Sequence, residues 1–96
     1  QPRYGVYLVE VKVGQEKYYG VADVGVKPTF GPHAPAVEVF LFDWGADLYR
    51  RVIEVSFLRF LRPERRFATA EELRAQIAVD VAQAKAILAE EEVHGG

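Results

Sequence analysis

Apolar and polar side chains alternate along residues 4–13, YGVYLVEVKV, with Val9, Val11 and Val13 on one side and Glu10 and Lys12 on the other. A period of two marks a β-strand. Gly14-Gln15-Glu16 supplies a turn, and KYYGVADVGV at 17–26 is again rich in aromatic and β-branched residues, so 4–13 and 17–26 are predicted to pair as a hairpin. Gly20 and Gly25 weaken a plain strand and point to a bulge or to close approach by another part of the chain. KPTFGPHAPA, 27–36, holds three of the five prolines and reads as a loop.

The next strand, predicted over 37–43 within VEVFLFDW, is apolar on both faces, with Val37, Val39 and Leu41 on one and Phe40 and Phe42 on the other. Glu38 stands alone among them, on the Phe face. DWGAD at 43–47 is a turn signal, where Asp43 and Asp47 serve the turn itself, and RRVIEVSFLRFL predicts a strand over 50–60. Pro63 breaks the pattern in LRPERRF, 61–67. A helix is predicted over about 70–91: Thr69 and Glu72 have capping-box spacing, and Leu73, Ile77, Val81, Ala84 and Leu88 form one apolar stripe. VHGG closes the chain as a frayed tail. Four strands joined by hairpin-like turns and one C-terminal helix give a mostly β, antiparallel α+β domain, read as a small barrel with the helix beside it. Four strands are few for closure, and without more the sheet carries open edges.

Composition narrows the function classes. The 96 residues suffice for one small domain, and a formal net charge of −2 argues against a general nucleic-acid binder, which needs a basic face to displace counterions from phosphates. No apolar run reaches the ~18 residues of a spanning helix and no charged-then-apolar leader opens the chain, so the expectation is a cytoplasmic protein without a membrane partner. With no cysteine there is no disulfide framework, thiolate zinc site or cysteine nucleophile. With no methionine, position 1 included, the chain reads as a piece of something longer.

The charge is unevenly spread. Arg50, Arg51, Arg59, Arg62, Arg65 and Arg66 face only Glu54 and Glu64 within 50–66, whereas Glu71, Glu72, Asp80, Glu90, Glu91 and Glu92 outnumber Arg74 and Lys85 within 71–92. Two solvated segments that attract each other across the fold explain this as well as a local anion site does.

Among candidate chemical groups, Glu38 stands out. A carboxylate flanked by Phe40 and Phe42 is expected to be partly desolvated, which raises its pKa toward the range of a general base; the alternative is a glutamate that meets water or a cross-strand arginine. In LRPERRF, arginine forks suit phosphates or the carbonyl oxygens of a planar heterocycle, and Phe67 offers a ring face or edge, or else staples the helix start. His33 and His94 lie far apart without acidic partners at ligand spacing, so no metal site is assigned to this chain. No P-loop, paired-glycine phosphate loop or serine elbow is present.

Three segments in order, YYGVADVGVKPTF (18–30), VEVFLFDWGADLYRRVIEVSFLRFLRPERRF (37–67) and TAEELRAQIAVDVAQAK (69–85), resemble the riboflavin kinase domain at the C-terminal end of bacterial bifunctional riboflavin kinase/FAD synthetases. The resemblance covers 4–88, and a strand glutamate followed by D-L-Y and L-R-P-E-x-x-F is its most specific part. It implies transfer of the γ-phosphoryl group of MgATP to the 5′-hydroxyl of riboflavin, giving FMN, on a six-stranded, Greek-key-like antiparallel barrel with a C-terminal helix. It further implies that Glu38 is the catalytic carboxylate, that Leu41, Asp43 and Tyr49 lie against the nucleotide, and that Arg62, Arg65 and Phe67 contact the flavin. In the parent chain an N-terminal FMN adenylyltransferase domain is the implied partner.

Two departures bear on this. The family carries a glycine-rich flap and a P-T-A-N motif, which helps hold Mg²⁺ and phosphates, upstream of the first strand seen here, so the Mg²⁺ ligands and at least one N-terminal strand are expected outside these residues. Phe40 also stands where the bacterial family often has His. Two other readings remain at this point: a truncated flavin-binding module without turnover, and a small anion- or RNA-binding barrel.

Overall fold

The computed structural model describes residues 3–26, 34–43 and 52–94. They form four strands, β1 (Gly5–Val13), β2 (Glu16–Val26), β3 (Pro35–Leu41) and β4 (Ile53–Arg62), followed by one helix, α1 (Ala70–His94). All neighbouring strands are antiparallel, in the order β3-β2-β1-β4.

That order is a Greek key: two hairpin connections link β1, β2 and β3, and β4 returns to lie beside β1. The reading in which every strand follows its predecessor through a hairpin-like turn gives way, for β4, to the Greek-key order that the resemblance implied. The reason lies in β1. Both of its faces are apolar and buried, apart from Glu10 and Lys12, so β1 is a central strand whose backbone needs a partner on each side. β2 takes one side and β4 the other; among the described residues β3 and β4 are the outer strands.

Gly14 opens the β1–β2 turn with φ +63°, and Val13 pairs with Glu16, which leaves a two-residue loop of the type II′ pattern. β3 begins at Pro35, inside the segment predicted as loop, because an outer strand tolerates a residue without an N–H. It stops at Leu41 rather than 43, where Asp43 takes a left-handed φ of 60° in a turn. β4 runs from Ile53 to Arg62, later at both ends than 50–60. Two register shifts against β1, at Leu58 and Leu61, change its alternation. As a result both Phe57 and Phe60 meet Tyr7, at ring-centroid distances of 5.0 and 5.2 Å in edge-to-face geometry.

The sheet carries an apolar layer on each face. On one, Tyr7, Val9, Val11, Val13, Ala22 and Val24 are buried with Val39, Leu41, Ile53 and Val55 packed against them. On the other, Val6, Leu8 and Val21 receive Ala84 and Ile87 of α1. The apolar contacts of the helix with the sheet begin at Val81 and run through Leu88. Leu73, placed by periodicity in the contact stripe, is 40% exposed, whereas Ile87, outside that stripe, is buried. The helix continues to His94, past the expected end near 91.

The Thr69 half of the cap forms as its spacing predicts, and the reciprocal bond from Glu72 falls one residue earlier, on Ala68. Thr69 Oγ1 accepts from the Glu72 amide at 3.1 Å, and the Glu72 carboxylate accepts from the Ala68 amide at 3.2 Å. Thr69→Ala is expected to cost about 1 kcal/mol, read as a lower urea midpoint with an unchanged slope.

Candidate functional site

The β2–β3 register decides what Glu38 faces. Glu38 lies opposite Asp23 and Phe40 opposite Val21, on the face that α1 covers, while Val39 and Leu41 point to the other layer. Because Val6 of the same face pairs with Arg62, the end of β4 is brought to this side too. Since the apolar contacts of α1 with the sheet begin at Val81, its first turns leave a cleft of about 420 Å³. Glu38, Asp23, Arg62, Glu64, Arg65 and Phe67 line it with Leu73 and Ile77. The size suits a small organic ligand.

Within this cleft Glu38 is exposed, and neighbouring Phe40 is 46% exposed. The desolvation expected from the aromatic neighbours is thus not provided by the described residues, because β3 is an outer strand and its side chains have cover from one side only. At Gly25 the Glu64 side chain lies close over β2: a Cβ there would come within 2.6 Å of its carboxylate, which would have to shift.

Arg62 is not an open fork. Its Nε and Nη2 donate to Asp80 Oδ1 and Oδ2, each at 2.8 Å, and its Nη1 donates to the Pro63 carbonyl at 3.1 Å. The Asp80 side chain is only 3% exposed and that of Arg62 17%. The hydrogen bonds to Asp80 outweigh burial and hold the guanidinium pKa above its ordinary value. The arginine-rich and acid-rich segments therefore do attract each other here, and the pair fastens α1 to the end of β4.

Arg65 is exposed, and its Nη1 donates to Gln76 Oε1 at 3.1 Å. Its guanidinium carbon lies 4.8 Å from the Phe67 ring centroid, and that of Arg62 lies 5.8 Å from it.

Four of the candidate residues, Glu38, Arg62, Arg65 and Phe67, thus share one cleft. Leu41 packs into the opposite layer. Asp43 lines a second depression with Lys17, Tyr19, Phe42 and Lys85. Tyr49 and His33 lie outside the described residues. Sequence reading missed Asp80 and Gln76. Asp80 carried a signal: it falls three residues after Ile77 and four before Ala84, an acid inside an apolar stripe, which demands a buried partner.

Among the described residues no group of three or more His, Cys, Asp or Glu is arranged to hold a metal ion, and no helix is long and apolar enough to cross a membrane.

A family model described as "Flavokinase: Riboflavin kinase" matches residues 1–88. A bifunctional riboflavin kinase/FMN adenylyltransferase of Pseudomonas fluorescens is 45% identical over 89 residues, covering 92% of this chain and 29% of that protein. The protein of the same name from Bacillus subtilis is 40% identical over 86 residues, covering 86% and 27%. An RNA-binding riboflavin kinase, RibR, from Bacillus subtilis is 44% identical over 80 residues, covering 82% and 35%. A crystal structure described as a macrolide-efflux protein of Streptococcus pneumoniae superposes with a TM-score of 0.75 at 32% identity, over 83% of this chain and 26% of that one. The chain spans less than a third of the length of either bifunctional relative.

Proposed function

The chain belongs to the riboflavin kinase family, and from that premise we propose that it phosphorylates riboflavin at the 5′-hydroxyl to give FMN, with ATP as co-substrate. The observation that carries the reading is the meeting of Glu38 with Arg65 and Phe67 in one cleft, although β3 and the 63–67 loop are far apart in sequence. Such a cleft has a carboxylate for a hydroxyl, a ring face for a planar heterocycle, and an exposed arginine whose N–H groups match its carbonyl oxygens.

In this reading the isoalloxazine ring lies against Phe67 and Arg65, and the ribityl chain runs along the β2–β3 surface toward Glu38. The Glu38 carboxylate accepts the proton of the 5′-hydroxyl as its oxygen bonds to the γ-phosphorus. The bond from that phosphorus to the β,γ-bridging oxygen breaks, and ADP leaves. Phosphoryl transfer of this kind asks for alignment and charge neutralisation more than for covalent help. Its exposure leaves the Glu38 side chain open to substrate. Leu41, Asp43 and Tyr49 are the proposed nucleotide-facing positions. Magnesium enters as the MgATP complex, with its protein ligands assigned to none of the described residues. An FMN adenylyltransferase domain is the proposed partner in the parent chain, after the names of the bifunctional relatives, and a cytoplasmic setting is proposed for it.

The test is direct. Full-length protein incubated with riboflavin and MgATP is expected to form FMN, separated by chromatography, and to quench riboflavin fluorescence on binding. Quenching without FMN would favour the flavin-binding module over the kinase. Absence of both would reject the flavin reading. The anion- or RNA-binding alternative is weakened by Arg62, whose fork is taken up by Asp80.

A further inference from the structure

Gln76 and Asp80, one turn apart on α1, hold both arginines of the 61–67 segment at once. Asp80 takes Arg62 through two parallel hydrogen bonds of 2.8 Å. Gln76 stands between this pair and Arg65: its Nε2 donates to Asp80 Oδ1 at 3.0 Å, and its Oε1 accepts from Arg65 Nη1 at 3.1 Å. The amide is therefore oriented from both ends, since its donor group meets a carboxylate and its acceptor a guanidinium. A chain of hydrogen bonds runs from an anchor 3% exposed to an arginine in solvent.

A merely structural role does not account for all of this. Fastening the helix to β4 needs only the Arg62–Asp80 pair. The contact from Gln76 to Arg65 adds little to docking, because Arg65 is exposed and loses side-chain freedom when held. What it achieves is to present the guanidinium of Arg65 at a fixed angle beside Phe67, at the wall of the cleft. A long side chain oriented beforehand has less freedom left to lose when a ligand arrives.

We propose that Gln76 and Asp80 are positioning residues for flavin recognition, acting through Arg65 and Arg62 on the Phe67 wall of the cleft. The inference rests on the flavin reading above and extends it from the groups that touch the ligand to the helix face that sets them.

Two variants of the full-length protein test it. Gln76→Leu removes both ends of the bridge, keeps helix propensity and leaves the Arg62–Asp80 pair intact. It is expected to raise the riboflavin Kd, measured by fluorescence quenching, up to about tenfold, the upper scale for ordering one long side chain on binding. The KM for ATP and the melting temperature stay at their wild-type values, and kcat at saturating flavin falls less than about twofold, as expected when only ground-state positioning is lost. The double variant Arg62→Met/Asp80→Leu replaces the buried pair by apolar side chains of similar volume, an exchange that proteins tolerate well. It is expected to fold and to lose flavin affinity at least as far as Gln76→Leu. Wild-type flavin affinity in both folded variants would overturn the positioning role, as would an equal loss of ATP affinity or of melting temperature in Gln76→Leu. A wild-type protein that fails to quench riboflavin fluorescence would instead overturn the flavin reading, and the positioning role with it.

Discussion

Replacing Glu38 with Gln is expected to lower kcat for FMN formation by about 10²–10⁴-fold, the usual worth of a positioned general base. The Kd for riboflavin is expected to move less than about threefold, because the amide keeps the shape of the side chain and an oxygen that accepts from the 5′-hydroxyl. Exposure on an outer strand makes the variant a clean probe. No packing is removed, so stability should stay within about 0.5 kcal/mol of wild type. Steady-state rates at saturating ATP, set beside fluorescence titration of riboflavin, separate the two effects. An unchanged kcat would take Glu38 out of the reaction. Loss of binding with kcat retained would make it a ligand contact rather than a base.

The second large effect concerns stability. Asp80→Ala leaves the Arg62 guanidinium half-buried without its carboxylate, which is costlier than removing both charges together. The expected loss is about 3 kcal/mol, at the lower end for a broken buried pair because Arg62 retains 17% exposure and can turn toward water. Against the ~5–15 kcal/mol that holds a typical domain together, this is a substantial fraction. It should appear as a fall in the urea midpoint of the full-length protein, and adding Arg62→Met to an Asp80→Leu background should recover most of it. If Asp80→Ala leaves the midpoint unchanged, the pair does not fasten the helix.

How much was legible beforehand follows from the range of each cause. The β1–β2 hairpin, the Thr69 cap and the run of α1 are set by residues within a few positions of one another, and periodicity and turn chemistry report them directly. Glu38 was visible because a single carboxylate in a strand apolar on both faces is conspicuous. The close approach suspected at Gly25 was visible as a missing side chain, though not that Glu64 fills the space. The exposure of Glu38 was hidden, since whether a strand lies at the middle or the outside of a sheet depends on partners remote in sequence. Arg62 was hidden in the same way. The shifts at Leu58 and Leu61 depend on how β4 fits β1, and they decide that Arg62 turns to the helix face.

By itself the sequence determined the element types, the antiparallel α+β class and the family resemblance, and it marked Glu38, Arg65 and Phe67 as candidate groups. Each follows from local spacing or side-chain type. Only the tertiary structure decided that β4 lies beside β1, that Arg62 is held by Asp80, that Leu41 faces away from the cleft, and that the apolar contacts of α1 begin at Val81 so that its first turns leave a cleft open. The physical reason is common to all four: they follow from which apolar faces can be buried together and which charges must then find partners, and that choice is made between segments brought together only when the chain folds.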